Sequence, residues 1–116
     1  MAKSPKEFRE EREKLNKKIL ENGNLGIKRF FNLDTKTYKE GLLKSKTKEM
    51  LGLVASLVLR CDDCISYHAI NCYNEGITKG ELAEIVEVGL VVGGSITIPH
   101  VRRLYETWDK LEKENG

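Results

Sequence analysis

The stretch that decides the fold covers residues 45–68 and reads SKTKEMLGLVASLVLRCDDCISYH. In its first part, apolar residues recur at the i, i+3, i+4, i+7, i+8 spacing of a helix that buries one face. These residues are Met50, Leu53, Val54, Leu57 and Val58. The stretch therefore predicts a core helix from Ser45 to about Arg60. A second helix should follow directly, beginning near two closely spaced cysteines.

Upstream of this stretch, the sequence predicts three further helices. A capping box formed by Ser4 and Glu7 indicates a long, highly charged helix that ends near residue 21. A short helix is expected over residues 24–32, with apolar anchors on one side. Asp34 is expected to begin another short helix that ends near Leu42.

Downstream, three helices are predicted from their start signals. Asp62 or Asp63 should cap the helix that carries the cysteines. Thr78 and Glu81 form a second capping box, for a helix that ends near residue 92. Ser95 is expected to cap the last helix, after a glycine pair. No segment alternates convincingly as a strand does, so the predicted fold is all-α.

Composition limits the class of protein. The chain has 116 residues, enough for a single domain, with 40% hydrophobic and 33% charged residues, as in a folded globular protein. The net charge of +2 comes from interspersed Lys and Glu, which argues against a nucleic-acid partner. The N-terminus lacks the apolar core of a secretory signal, and the apolar runs are too short for a membrane span. The cytoplasm is the expected compartment.

Cys61, Cys64 and His68 are the residues that most clearly indicate chemistry. A Cys-x-x-Cys pair can close and reopen a disulfide, and a nearby imidazole can move the proton that this exchange requires. On a helix, Cys64 and His68 share one face at i and i+4. The helix N-terminus should favour a Cys64 thiolate, while Asp62 and Asp63 oppose it. A moderately activated nucleophile is therefore expected, with Cys61 placed to form the disulfide.

Two other interpretations of these residues remain open. The thiols could be buried and inert, or Cys61, Cys64 and His68 could be three ligands of a zinc ion. Cys72 does not extend such a site, because it lies eight residues and about 12 Å along the helix from Cys64. We expect Cys72 to be a core thiol. His100 has no visible partner in sequence and is expected to be structural.

With Glu49 twelve residues before Cys61, the motif resembles the E-x11-C-x2-C-x3-H pattern of the AhpD-like proteins. These form the CxxC-bearing branch of the carboxymuconolactone decarboxylase family. The segments KTKEMLGL at 46–53 and GITKGELAE at 76–84 also resemble that family, as does the glycine pair at 93–94. The likeness covers about residues 42–105. It divides the chain into an N-terminal helical extension, 1–41, and an AhpD-like core, 42–116.

The resemblance implies an AhpD-like helical bundle and a thiol-dependent antioxidant enzyme, an alkylhydroperoxidase with peroxiredoxin-type activity or a disulfide reductase. By this likeness Cys64 attacks a peroxide or disulfide, Cys61 resolves the product, and Glu49 and His68 relay protons. If the two helices form a hairpin, Glu49 should lie nearer His68 than Cys64. No metal or organic cofactor is implied. A thiol or lipoyl-type reductant is expected, and such domains usually form homo-oligomers, often trimers or hexamers.

Two alternatives to this function follow from the same residues. The other branch of the family consists of lactone decarboxylases, whose reaction needs a general acid–base and an anion site but no dithiol. A non-catalytic helical oligomer, with zinc-bound or inert thiols, is the second. Glu49 taken alone is most simply an exposed residue in the first turn of its helix.

Overall fold

A computed structural model describes residues 3–115, and within that range it contains six α-helices and no strand. The helices are α1 (Pro5–Asn22), α2 (Leu25–Thr37), α3 (Ser45–Leu59), α4 (Asp62–Asn74), α5 (Lys79–Gly93) and α6 (Ile98–Asn115). A short 3-10 turn, Ser95–Thr97, precedes α6. The predicted all-α, single-domain fold is confirmed.

The predicted core helix, α3, lies at the centre of the molecule. It packs against α4 on one side and α5 on the other, and α4 in turn packs against α6. Leu53 and Leu57 of α3 are fully buried, as the apolar spacing predicts. On the α4–α6 side, the ring of Trp108 is buried and meets Tyr73 edge-on at 5.3 Å between centroids. This packing fixes α4 and α6 relative to each other.

Both predicted capping boxes are present. The Ser4 hydroxyl accepts a hydrogen bond from the Glu7 amide, and the Glu7 side chain accepts one from the Ser4 amide. Thr78 and Glu81 exchange the same two bonds at the start of α5. Each box satisfies amides that would otherwise lack a partner at a helix start, which explains why these two starts were readable from sequence.

Three other predicted helix starts are wrong. Asp34 begins no helix: the side chain of Asn24 caps α2, which continues through Asp34 to Thr37 because nothing interrupts it. Cys61, and neither Asp62 nor Asp63, is the N-cap of α4. Ser95 begins the 3-10 turn without a side-chain cap, so α6 starts only at Ile98.

The first two helices are less embedded than the rest. α1 touches α4 and α6, whereas α2 makes few contacts with any other helix and buries none of its residues. The radius of gyration, 14.6 Å, exceeds the about 13 Å typical of a compact chain of this length. No helix within residues 3–115 is long and apolar enough to cross a bilayer.

Candidate functional site

A tight turn between α3 and α4 presents the two cysteines. Arg60 adopts a left-handed conformation, with φ 58° and ψ 44°, which ends α3 and turns the chain into Cys61. The Cys61 sulfur then accepts a hydrogen bond from the Cys64 amide at 3.3 Å. Cys61 therefore caps α4 and faces Cys64, and the two sulfur atoms lie near disulfide distance.

Cys64 is the exposed thiol of the pair, and Cys61 is half-buried. A hydrogen bond with Cys61, burial, and the negative charge of Asp63 raise the pKa of Cys64 to about 11. The predicted moderate activation is therefore wrong for the dithiol form: the partner thiol and Asp63 outweigh the helix N-terminus.

Glu49 and His68 form a buried pair behind the cysteines. The Nδ1 atom of His68 lies 2.9 Å from Oε1 of Glu49, and both side chains are about nine-tenths buried. The simple interpretation of Glu49 as an exposed first-turn residue is thus wrong. Its contact with His68 is the one expected of a hairpin, because α3 and α4 run back along each other from the turn at 60–61. A carboxylate at Nδ1 fixes the orientation and the tautomer of the ring.

Two residues that the sequence analysis did not single out enclose the His68 ring. Gly52 lies against its face so closely that a Cβ there would come within 2.7 Å of the ring. The hydroxyl of Tyr38 lies 3.4 Å from Nε2. Neither residue can be recognised as a site residue from one sequence, because a helical glycine and a loop tyrosine have many ordinary roles.

His100 contacts the Cys-x-x-Cys segment, through a partner that is not visible in the sequence. Its Nδ1 lies 2.7 Å from one oxygen of Asp62, and Arg103 donates from Nε to the other at 3.0 Å. Burial alone raises the pKa of Asp62, but the bonds from His100 and Arg103 outweigh it and hold the pKa below its usual value. Asp62 is thereby tied to α6, and Asp63 is the motif acid that affects Cys64.

A cavity of about 440 Å³ brings the predicted residues of α4 together with the first two helices. Cys64, Tyr67 and His68 form one wall. The opposite walls come from α1 and α2 through Arg12, Asn16, Phe30, Phe31, Asp34 and Thr35. Arg12 stacks on Tyr67, with its guanidinium carbon 3.7 Å from the ring centroid. Residues of the predicted N-terminal extension thus shape the space in front of Cys64.

Cys72 lies in the core, as expected, and is fully buried. Burial, together with the charges of Glu49 and Glu75, raises its pKa to about 12, so it is an unreactive thiol. Within residues 3–115, no group of three His, Cys, Asp or Glu side chains is arranged to hold a metal ion. The three-ligand zinc interpretation of Cys61, Cys64 and His68 therefore has no geometric support.

A larger apolar groove of about 860 Å³ lies elsewhere, between α3 and α5. Met50, Leu51, Val54, Val58, Val88 and Val92 are among the residues that line it. We call this surface the α3–α5 groove. None of the predicted site residues lines this groove, so the groove has no visible connection with thiol chemistry. It is an apolar face of the molecule that no other helix of residues 3–115 covers.

Comparisons with known proteins agree with this fold. A crystal structure of the protein TM1620 from Thermotoga maritima superposes with a TM-score of 0.91 at 52% identity, covering 96% of this chain and 99% of that one. A second structure of TM1620 gives 0.90 at 50% identity over 94% and 92% of the two chains. It is described as a carboxymuconolactone decarboxylase family protein suggested to be involved in antioxidative response.

Sequence comparisons lead to the same family. An uncharacterized protein of Cupriavidus necator is 27% identical over 73 residues, 63% of this chain. The match spans less than two thirds of that relative, 65% of its length. The sequence model of the carboxymuconolactone decarboxylase family matches residues 27–107, which include every predicted site residue as well as Tyr38 and Gly52. This AhpD-like chain therefore belongs to the carboxymuconolactone decarboxylase family.

Proposed function

We propose that this protein is a thiol-dependent antioxidant enzyme that reduces peroxides or disulfides by cycling Cys61 and Cys64 between dithiol and disulfide. One observation carries the proposal. An exposed Cys64 faces a half-buried Cys61 and shares a cavity with His68, whose ring is oriented by a buried Glu49. The antioxidative role suggested for TM1620 supports the same chemistry.

The cycle balances without a metal or an organic cofactor. Cys64 loses its proton and attacks the outer peroxide oxygen; an S–O bond forms, the O–O bond breaks, and the alcohol leaves with a proton. Cys61 then loses its proton and attacks the Cys64 sulfur, releasing water and forming the disulfide. Both thiols are oxidised and the peroxide is reduced by two electrons. With a small disulfide as substrate, the products are two thiols.

The roles of the two cysteines follow from their positions. Cys64 is the nucleophile because it is the exposed thiol and faces the cavity. Cys61 is the resolving thiol because the capping bond with the Cys64 amide holds it beside Cys64. Since the pKa of Cys64 is about 11, its thiolate is about one part in 10⁴ at pH 7. The Glu49–His68 pair supplies the base that this thiol lacks.

A dithiol of lipoyl type is the reductant we propose, because two thiols on one molecule can reduce the Cys61–Cys64 disulfide in two successive exchanges. We place the cycle in the cytoplasm, where thiols are kept reduced.

Thiol counting on the reduced protein tests the assignment. One equivalent of an organic hydroperoxide should remove two thiols per chain, and dithiothreitol should restore them. Cys64→Ser should abolish peroxide consumption, while Cys61→Ser should stop at a sulfenic acid on Cys64 that dimedone traps. The matched control is Cys72→Ala, which should still lose two thiols. Peroxide consumption that survives in Cys64→Ser would disprove the role of Cys64.

We also propose that the chain works as a homo-oligomer, a trimer or hexamer, in which a second copy covers the α3–α5 groove. α2 offers a matching surface, because Phe30 and Leu33 are 66% and 62% exposed. Its basic residues Lys28 and Arg29 would face Glu81 and Glu84 at the edge of the groove. An amphipathic helix that buries nothing within its own chain is rarely stable alone, so a second copy of this chain is the partner we assign.

A further inference from the structure

Tyr38 occupies a position that the cycle described above leaves without a role. It follows α2 directly and ends that helix with φ −86° and ψ −2°. Its hydroxyl lies 3.4 Å from Nε2 of His68, and the two ring centroids are 5.1 Å apart at an angle of 46°. Contacts between catalytic groups are often this long before substrate binds. Tyr38 thus places a phenol hydroxyl within hydrogen-bonding distance of Nε2.

The surroundings of His68 leave few routes to its ring nitrogens. Nδ1 is taken by Glu49 at 2.9 Å, so Nδ1 carries the hydrogen and donates it to the carboxylate. Nε2 is then the acceptor, and Tyr38 donates its hydroxyl proton to it. Gly52 closes one face of the ring. The Tyr38 hydroxyl therefore lies at Nε2, the ring nitrogen that Glu49 leaves free to accept a proton.

The backbone on both sides of Tyr38 is fixed. The ammonium group of Lys48 donates one hydrogen bond to the carbonyl of Thr37 and one to that of Lys39, each at 2.8 Å. Lys48 directly precedes Glu49 in α3. One turn of α3 therefore positions both partners of His68, Glu49 by its side chain and Tyr38 through this clamp on the backbone.

The electrostatic environment keeps the phenol protonated. Burial, followed by the charges of Asp34, Glu49, Tyr67 and Cys64, raises the pKa of Tyr38 above its usual value. A phenol that stays protonated can donate to Nε2 and accept from a thiol at the same time. Cys64 and His68 line the same cavity, so the thiol and the ring that Tyr38 contacts face a common space.

We propose that Tyr38 relays the proton between Cys64 and His68. As Cys64 attacks, the Tyr38 oxygen takes the thiol proton and the original hydroxyl proton moves to Nε2. The imidazolium that forms is held by Glu49, and the same path in reverse returns the proton to the departing alkoxide. Tyr38 ends each step as a neutral phenol. This inference rests on the proposed function, which supplies the peroxide substrate, but its test requires no peroxide.

The test is the rate at which iodoacetamide alkylates Cys64 between pH 6 and 10, located by fragment-ion mass spectrometry of the full-length reduced protein. Tyr38→Phe keeps the ring and removes the hydroxyl. At pH 7 it should slow alkylation by about 100-fold, the usual size of an acid–base contribution. The ratio of the wild-type rate to the Tyr38→Phe rate should fall steadily towards pH 10, because more of Cys64 is then already a thiolate. Equal rates at pH 7, or one constant ratio at every pH, would overturn the proposal.

Two further variants make the result specific. Lys48→Met releases the backbone clamp and should reproduce the pH-dependent deficit, whereas Lys46→Met, which removes only an exposed contact with Glu81, should not. Tyr73→Phe removes a hydroxyl from α4 next to Trp108 and should react as the wild type does. A loss in Tyr73→Phe equal to that in Tyr38→Phe would also count against the relay.

The alkylation assay uses no oxidant, so it separates the two proposals. A wild-type protein that is alkylated normally but consumes neither peroxide nor disulfide would refute the proposed function. The comparison of Tyr38→Phe with the wild type would still decide the relay in that case.

Discussion

At the scale of single residues, the position of His68 depends on the absence of a side chain at residue 52. A Cβ on Gly52 would lie 2.7–2.8 Å from three atoms of the imidazole, closer than real side chains approach. The ring is buried between α3 and α4, so it cannot move aside without breaking its bond with Glu49. We therefore predict that Gly52→Ala lowers the rate of peroxide reduction by about 10²-fold or more, as loss of a general base does.

Steady-state kinetics together with thermal unfolding would measure the effect of Gly52→Ala. The matched control is Gly80→Ala in the first turn of α5, where the nearest atom to a new Cβ is 3.9 Å away. Alanine favours the helix more than glycine does, so this control should keep full activity and be slightly more stable. Full activity in Gly52→Ala would mean that the position of His68 is irrelevant to the reaction.

Asp63 is the motif acid whose charge opposes ionisation of Cys64. Asp63→Asn removes that charge and should lower the pKa of Cys64 from about 11. A lower pKa means more thiolate at any pH below it, so alkylation at pH 7–9 should be faster, by several-fold. Asp62→Asn is the matched control, because His100 and Arg103 hold that carboxylate against α6. Faster alkylation in Asp62→Asn than in Asp63→Asn would contradict this assignment.

At the scale of elements, Cys61 has a structural role in addition to its proposed chemical one. Its sulfur caps α4, and the serine hydroxyl is a stronger capping group than a thiol. We predict that the free energy of unfolding of Cys61→Ser is about 0.5–2 kcal/mol higher than that of Cys61→Ala. Neither variant can form the disulfide, so the comparison isolates the cap. Chemical denaturation of both reduced variants would measure the difference, and equal stabilities would show that the cap contributes nothing.

A helix start could be predicted from the sequence when the residues that form its cap are close together in the chain. Both capping boxes were found, because all the atoms involved lie within four consecutive residues. The Asp34 start failed, because α2 begins after Asn24 and continues through Asp34 to Thr37. Glu49 was assigned by resemblance, His68 by its spacing from Cys64 together with that resemblance, and Tyr38 and Gly52 were not assigned at all. Their roles arise from contacts between α3, α4 and the loop after α2, which no local pattern encodes.

The partner of His100 illustrates the same limit between elements. His100 and Asp62 lie 38 positions apart, and they meet only because α6 packs on α4. The sequence therefore gave no indication that a residue outside the motif restrains one of its two acids. The same holds for the cavity, whose walls from α1 and α2 lie in the segment that was set apart as an extension.

At the scale of the whole molecule, contacts within one chain leave a large apolar surface exposed to solvent. Leu51, Val88 and Val91 are 57%, 52% and 80% exposed on α3 and α5, and the exposed residues of α2 add to them. Contiguous apolar surfaces of this kind usually mark an interface. Since α2 also forms a wall of the cavity beside Cys64, assembly would stabilise the cavity as well as cover the groove.

Val88→Lys tests this assembly. Val88 is half-exposed in the single chain, so a lysine there should cost little folding stability. In an apolar interface the same ammonium group would lose its water without gaining a partner, so the oligomer should dissociate. Light scattering after size exclusion should show an oligomer for the wild type and a monomer for Val88→Lys. Glu106→Lys, on an exposed position of α6, should keep the wild-type mass. A wild-type monomer at micromolar concentration, or an unchanged mass for Val88→Lys, would rule out a second copy as the partner of the groove.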